Sequence, residues 1–257
     1  MPNLGRPLAR TSPIFVKSGL SSHTGKKPSL NGIQNGTTPP PMNRQHEVQT
    51  GISHLRTSCP IMRKLIRAVG PFTLRPTRNR FGILVRSIIS QQISTAAARN
   101  IRGRLDALLE PDGIKPENLA RLVLSDLRAV GLSRQKASYL LDLAEKTLDG
   151  TVRLNRIGRL EDEAVIEMLT QVKGIGRWTA EMFLIFSLGR LDVLPVDDLG
   201  VRSAIRNLYD LPELPDKKTC MEFASPWRPY ASIGSWYCWQ SLDLKRNVRQ
   251  FAKGYPT

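Results

Sequence analysis

Apolar residues recur three and four positions apart along most of this chain, the spacing that places them on one face of an α-helix. After about residue 50 the pattern repeats in one segment after another, and no segment keeps the alternation of a half-buried strand. We therefore predict an all-α protein. The predicted buried faces are Met62, Leu65 and Ile66; Phe81, Leu84, Val85 and Ile88; Ala97, Ile101, Leu105 and Leu108; Ala137, Leu140, Leu141 and Ala144; Val165, Met168, Leu169 and Val172; and Val201, Ala204, Ile205 and Leu208.

Turn residues mark where several of these helices begin and end. Gly70-Pro71 is predicted to close the first helix, and residues 72–80 then follow as a basic loop. Ser125 is predicted to open a short helix that Gly131 closes, and Ser133 introduces the next one. We find no internal repeat.

The N-terminal segment has a different composition. Residues 1–46 are rich in Ser, Pro, Gly, Asn and Thr, contain six Lys or Arg, and contain no acid before Glu47. Such a segment cannot bury enough apolar surface to fold. We predict a disordered basic tail over residues 1–48, followed by a folded domain over residues 49–257. The alternative is that this basic, acid-poor segment is an organelle transit peptide.

Charge and cysteine content restrict the partners and the compartment. The net charge of +16 and the pI of about 10.3 favour a polyanionic partner, first nucleic acid and second an acidic membrane surface. No apolar run approaches the length of a membrane span. Three scattered cysteines are too few for a disulfide framework or a zinc site, so we expect a reducing, intracellular location.

A glycine hairpin lies between two of the predicted helices. Lys173-Gly174-Ile175-Gly176 leaves no side chain at two positions, and the second helix begins directly afterwards. The unpaired N–H groups at that helix start can bind a phosphate. About twenty residues later the chain reads Leu-Pro-Val-Asp-Asp, ending at Asp197 and Asp198.

The hairpin together with this acidic pair resembles the helix–hairpin–helix DNA glycosylase superfamily. Within it, Gly-Ile-Gly-Arg-Trp-Thr-Ala resembles the 3-methyladenine DNA glycosylase II branch, and the resemblance runs from about residue 50 to 245. It implies two helical lobes, one over about residues 80–190 and one that combines the first helices with residues 195–250. It also implies that Gly174, Ile175, Gly176 and Thr179 contact double-stranded DNA. We expect a monomer without a cofactor, since the cysteines do not form the four-cysteine iron–sulfur loop of some members.

By this resemblance the catalytic residue is Asp198. Cleavage of an N-glycosidic bond develops positive charge on the sugar, which a fixed carboxylate stabilises while orienting the attacking water. Asp197 is then expected to cap the helix that follows. The alternative is that both acids only stabilise the start of that helix.

The resemblance places Trp178, Trp236 and Met182 in the base pocket. An indole face attracts the cationic ring of an N-alkylated purine by roughly 0.5–2 kcal/mol. Members that also cut the backbone carry a nucleophilic lysine at the position of Trp178, and Arg177 cannot replace it because a guanidinium stays protonated. We therefore expect base release without strand cleavage.

Further DNA contacts follow from the same resemblance. Gln91, Gln92 and Ile93 lie in a turn that is expected to fill the gap left by an extruded nucleotide, with Gln92 preferred as the wedge. Ser133 and Lys136 start a helix where a phosphate can bind, although a solvated basic face would look the same. The carbonyls of Thr170, Val172 and Ile175 are expected to hold a monovalent cation.

These expectations describe a monofunctional base-excision repair DNA glycosylase that hydrolyses the N-glycosidic bond of alkylated purines, 3-methyladenine and 7-methylguanine, in duplex DNA. A glycosylase for uracil or oxidised bases would keep Asp198 and read its base by hydrogen bonds. A non-catalytic helix–hairpin–helix DNA-binding protein would need neither Asp198 nor a tryptophan-lined pocket.

Overall fold

The computed structural model describes residues 44–252, and this part of the chain contains helices without any strand, which confirms the all-α prediction. Within this range no helix has the length and apolarity needed to cross a bilayer. The α-helices are α1 (Arg44–Ser58), α2 (Pro60–Val69), α3 (Arg80–Ser90), α4 (Thr95–Leu108), α5 (Pro116–Ala120), α6 (Leu124–Ala129), α7 (Arg134–Leu148), α8 (Asp162–Thr170), α9 (Arg177–Phe183), α10 (Leu199–Leu208), α11 (Lys217–Ala224) and α12 (Ala231–Ala252).

Helix α1 begins earlier than the composition indicated. Residues 44–48, which the sequence assigned to the tail, are helical, and the rest of the predicted tail lies outside the described residues. The helix escapes sequence analysis because its buried face consists only of Gly51, Ile52 and Leu55. A face this small gives a weak periodic signal.

Several predicted helix boundaries can be compared with the structure. Gly70 closes α2 with a positive φ of 88°, and Ser133 caps α7 by accepting the Lys136 N–H over 3.2 Å, as expected. The prediction that Ser125 opens α6 is wrong. That helix begins at Leu124, because the Asp126 carboxylate accepts the N–H of the preceding Val123 over 3.0 Å.

The buried residues form two hydrophobic cores, which correspond to the two predicted lobes. The first lobe contains α3 to α9, with core residues from Phe81 to Val193. The second contains α1, α2 and α10 to α12, with core residues from Ile52 to Ile66 and from Val201 to Cys238. Fully burying one large apolar side chain contributes about 1.5–3 kcal/mol, so each core stabilises its own helices. Trp239 packs against both cores and therefore lies where the lobes meet.

The chain crosses from the first lobe to the second just before Asp198. Helix α9 continues into a π-helical turn over Leu184–Leu188, and Gly189 ends it with a φ of 71°. The crossing segment is then anchored on α12, where Ser232 Oγ accepts the Val193 N–H over 2.8 Å and the Ser232 N–H donates to Leu191 O over 2.9 Å. These bonds fix the approach of the chain to α10.

Candidate active site

Three N–H donors converge on the carboxylate of Asp198, which is only 2% exposed. Oδ1 accepts the Val201 backbone N–H over 2.7 Å and the indole N–H of Trp239 over 2.8 Å. Oδ2 accepts the indole N–H of Trp178 over 2.9 Å. A buried carboxylate with this many donors is held in one orientation, and the donors offset the cost of removing its charge from water.

The donors come from both lobes. Trp178 belongs to α9 in the first lobe, whereas Val201 and Trp239 belong to α10 and α12 in the second. The position of Asp198 therefore depends on how the lobes dock, and the carboxylate lies at their junction.

The expectation that Asp197 caps α10 is wrong. Asp198 is the cap, since its own side chain accepts the Val201 N–H. The Asp197 side chain is partly exposed and instead forms an ion pair with Lys217 over 2.7 Å. One residue thus holds the helix start and occupies the site predicted for catalysis, while its neighbour forms a surface ion pair.

The predicted pocket residues lie in different environments. Trp178 is half-buried, and because its N–H donates in the plane of the ring, bonding to Asp198 does not involve the ring faces. Met182 is buried in the core of the first lobe. Trp236 is 7% exposed in the second lobe, where it packs edge-on against Phe72 at a centroid distance of 4.7 Å. Their contact with a substrate base stays a prediction.

Trp239 is the functional candidate that sequence reasoning missed. Besides its bond to Asp198, its ring stacks on Phe186 of the first lobe at a centroid distance of 5.4 Å. The sequence signal that could have identified Trp239 is its position three residues after Trp236 on the same helix. That spacing places both rings near one face of α12, but it cannot show which ring reaches the acid.

The hairpin glycines have distinct roles. Gly174 has a φ of 80°, and a Cβ added there would lie 2.0 Å from the Tyr139 ring. Gly176 precedes α9 with nothing within 4 Å of an added Cβ, so its surface is open. The side chains of Ile175 and Thr179 are buried, which leaves backbone groups of the hairpin to contact DNA.

The structure separates the three wedge candidates. Gln91 is half-buried, and its Nε2 donates to Gly174 O of the hairpin over 2.8 Å. Ile93 packs against the core of the first lobe. Gln92 is exposed at the tip of the turn, with a positive φ of 56°. The geometry therefore favours Gln92 as the residue that reaches outward.

Ser133 and Lys136 contact the protein itself. The Ser133 hydroxyl caps α7 through the Lys136 N–H. The Lys136 ammonium donates to Ile89 O over 2.8 Å and to Gln91 O over 2.5 Å, both at the end of α3. The structure thus directs this charge at the wedge turn.

Glu181 is a buried acid that the sequence did not single out. It is 5% exposed, and one oxygen lies 3.3 Å from Nε of Arg177. Among the described residues, its Oε2 has no hydrogen-bond partner. Burial raises the pKa of Glu181 to about 7, with Asp197 adding to the rise and Arg177 opposing it.

Two further features bear on ligands. A cavity of about 880 Å³ lies away from Asp198, at the start of α3, and Arg78, Arg80, Arg153 and Arg156 line it.

Within residues 44–252 no cluster of three or more His, Cys, Asp or Glu side chains is arranged to hold a metal. The carbonyls of Thr170, Val172 and Ile175 lie where α8 ends, and Val172 O also accepts the Ile175 N–H over 3.0 Å.

Known proteins resemble this chain in both sequence and fold. DNA-3-methyladenine glycosylase 1 of Schizosaccharomyces pombe is 36% identical over 189 residues, which is 71% of this chain and 82% of that protein. The structure of the S. pombe 3-methyladenine DNA glycosylase in complex with abasic DNA gives a TM-score of 0.67 at 35% identity, over 74% of this chain and 95% of that one. A DNA-3-methyladenine glycosidase from Bacillus halodurans gives a TM-score of 0.68 at 35% identity, over 80% of this chain and 92% of that one.

A family model agrees with these similarities. The model described as HhH-GPD superfamily base excision DNA repair protein matches residues 85–229, more than half of the chain, and the match includes the hairpin and Asp198. The chain therefore belongs to the HhH-GPD superfamily of base excision DNA repair proteins.

Proposed function

We propose that this protein is a monofunctional DNA glycosylase that hydrolyses the N-glycosidic bond of alkylated purines in duplex DNA. The observation that carries the proposal is the buried Asp198 carboxylate, held by donors from both lobes within a fold of this family. A non-catalytic DNA-binding module has no need to bury an acid in this way.

The reaction needs a charge that matches the developing transition state. As the bond from sugar to base breaks, positive charge accumulates on the deoxyribose ring. A carboxylate that is already oriented stabilises this charge without having to reorganise, and it can also accept a proton from the attacking water. Trp178, Val201 and Trp239 supply the orientation in this protein.

The substrate class is inferred from relatives and from chemistry. The S. pombe and B. halodurans proteins that resemble this chain are named for 3-methyladenine. An N-alkylated purine such as 3-methyladenine or 7-methylguanine carries positive charge, so it is already an activated leaving group. The half-buried Trp178 ring beside Asp198 can attract such a base through its face.

Strand cleavage is not part of the proposal. No lysine stands at position 178, and Arg177 is paired with Glu163 and Glu181. A guanidinium in two ion pairs remains protonated and cannot form a Schiff base with the sugar.

DNA binding has its own support. The S. pombe relative was solved with abasic DNA, and the hairpin here presents open backbone at Gly176. Helix-start N–H groups bind phosphate without reading sequence. The neutral carbonyls of Thr170, Val172 and Ile175 are ligands of the type that a monovalent cation accepts, and such a cation would shield a DNA phosphate at the hairpin without breaking bonds.

The test is to incubate the protein with methylated duplex DNA and to identify the released bases by mass spectrometry. We expect 3-methyladenine and 7-methylguanine in the supernatant and abasic sites in intact strands. Borohydride added during the reaction should trap no covalent adduct. Release of uracil or oxidised purines alone, or no release of any base, would contradict the proposal.

A further inference from the structure

The end of helix α3 is held by a half-buried cation from another helix. Carbonyl groups in the last turn of a helix lack intrahelical partners and carry partial negative charge. Here the Lys136 ammonium of α7 donates to Ile89 O and Gln91 O, over 2.8 and 2.5 Å. Burial lowers the pKa of Lys136 from its ordinary value. Two acceptors at hydrogen-bonding distance offset part of the cost of burying this charge.

The turn that follows α3 contains a strained residue. Gln92 has a φ of 56°, a left-handed conformation that is unfavourable for a non-glycine residue. Such a conformation persists only where the surrounding structure fixes it. The residue before it is fixed twice, since Gln91 O accepts from Lys136 and Gln91 Nε2 donates to Gly174 O over 2.8 Å.

Helix α7 also supports the hairpin. The Asp142 carboxylate accepts the Lys173 N–H over 2.8 Å, and the Tyr139 ring lies against Gly174. Lys136, Tyr139 and Asp142 are spaced three apart on α7 and share one side of it. One helix therefore contacts both the wedge turn and the hairpin.

We propose that Lys136 is a positioning residue that holds the turn Gln91-Gln92-Ile93 in the shape that fills the base stack, and is not a phosphate ligand. The proposal rests on the proposed function. The Lys136 charge then acts inside the protein, because one carbonyl that it bonds belongs to the end of α3 and the other belongs to the turn.

The two roles of Lys136 predict different kinetics. Extruding a paired nucleotide requires unstacking and unpairing it, and the wedge offsets part of that free-energy cost. A damaged base with no pairing partner needs less help. If Lys136 positions the wedge, its loss should slow excision from a paired site more than from an unpaired site. Loss of a phosphate ligand would slow both equally and would lower the salt dependence of binding.

The experiment compares Lys136→Met with Arg134→Met, which removes an exposed charge from the same helix turn. The substrates are duplexes with 7-methylguanine opposite cytosine or opposite a tetrahydrofuran abasic analogue. For Lys136→Met we expect single-turnover excision to fall about tenfold or more opposite cytosine and less than about threefold opposite the analogue. Arg134→Met should change the excision rates on the two substrates by the same factor. Gln92→Ala should reproduce the pattern of Lys136→Met.

A fluorescence measurement tests the same proposal without catalysis. A 2-aminopurine placed beside a tetrahydrofuran site brightens when a wedge unstacks it. Lys136→Met should bind this duplex with an unchanged salt slope and a reduced fluorescence gain, and Lys136→Arg should recover part of the gain. Two results would overturn the positioning role of Lys136. One is an equal loss of excision rate on both 7-methylguanine duplexes, and the other is a salt slope of binding lower by about one unit with a normal gain in fluorescence. A wild-type protein that brightens 2-aminopurine but releases no methylated base would refute the proposed function alone.

Discussion

The indole N–H of Trp239 donates to Asp198 Oδ1 over 2.8 Å, between residues 41 positions apart in the chain. Trp239 also packs against the cores of both lobes. The carboxylate proposed for catalysis is therefore oriented by a residue whose own position depends on lobe docking. Any change that loosens this docking should reach the active site through Trp239.

Replacing Trp239 with Phe tests this relationship. The substitution removes the N–H donor while a ring remains to stack on Phe186. A hydrogen bond to a charged group contributes about 1.5–3 kcal/mol, so base release should slow roughly 10- to 100-fold. Single-turnover excision from methylated duplex DNA measures the effect. The melting temperature should also fall by several degrees, because the lost bond stabilises the folded state as well. A wild-type rate in this variant would show that the bond does not orient Asp198.

Asp198→Asn should abolish base release and leave DNA affinity equal or higher. The amide oxygen can still cap α10 through the Val201 N–H, so the fold should survive. The amide N–H₂ would face an indole donor and carries no charge to stabilise the sugar cation. We expect a rate at least about 100-fold lower. Asp197→Asn is the matched control, because it changes the neighbouring acid in its ion pair with Lys217. Near-normal turnover of Asp198→Asn would move catalysis to another residue.

Substitutions of Trp178 separate stacking from hydrogen bonding. Trp178→Phe keeps an aromatic face and loses the bond to Asp198 Oδ2, whereas Trp178→Ala loses both. If the face attracts cationic bases, release of 7-methylguanine should fall further in the Ala variant, by roughly 0.5–2 kcal/mol of barrier. Release of a neutral damaged base should differ less between the two variants, because a ring without positive charge gains less from the aromatic face. Equal rates on the cationic base would leave Trp178 with only its role towards Asp198.

The two hairpin glycines should respond differently to substitution. Gly176→Val adds a side chain where nothing lies within 4 Å, so it should fold normally and weaken binding to damaged and undamaged duplexes alike. Gly174→Ala forces a left-handed alanine against the Tyr139 ring and should lower the unfolding free energy by at least about 1–2 kcal/mol. Fluorescence anisotropy and denaturant unfolding report the two effects. A loss of affinity confined to damaged DNA would contradict the phosphate role of Gly176.

Glu181 makes stability depend on pH. Burial raises the pKa of Glu181 from 4.5 to about 7, so between these values the folded protein keeps a proton that the unfolded chain releases. The unfolding free energy should therefore decrease as pH rises from about 5 to 7, by up to roughly 3 kcal/mol from this group, and then stay level. Glu181→Gln should lack this component when urea unfolding is compared at pH 5 and 8. Glu163→Gln, an exposed partner of the same Arg177, should retain it.

Local pattern was sufficient for most of the fold. Helix α3 and helix α7 were predicted because apolar residues spaced for one face must be buried, and Gly70 and Ser133 act as caps within a few residues of chain. Helix α1 was missed because three buried residues give too weak a pattern. Ser125 was wrongly predicted to open α6, because the interaction that starts this helix comes from Asp126, which bonds back to Val123 from inside the helix.

The sequence by itself determined the hairpin glycines, Asp198 as the acid after them, and the absence of a lysine at Trp178. It also determined the helical faces, except that Leu108 is 45% exposed where burial was predicted. Each depends on residue type and short spacing. Only the tertiary structure decided that Trp239 bonds Asp198, that Lys136 turns inward to Gln91, and that Glu181 is buried beside Arg177. The physical reason is that a polar group's partner depends on which surfaces come together when the lobes and helices pack. Spacing along one helix specifies a direction, and the element that occupies that direction is set by the rest of the fold.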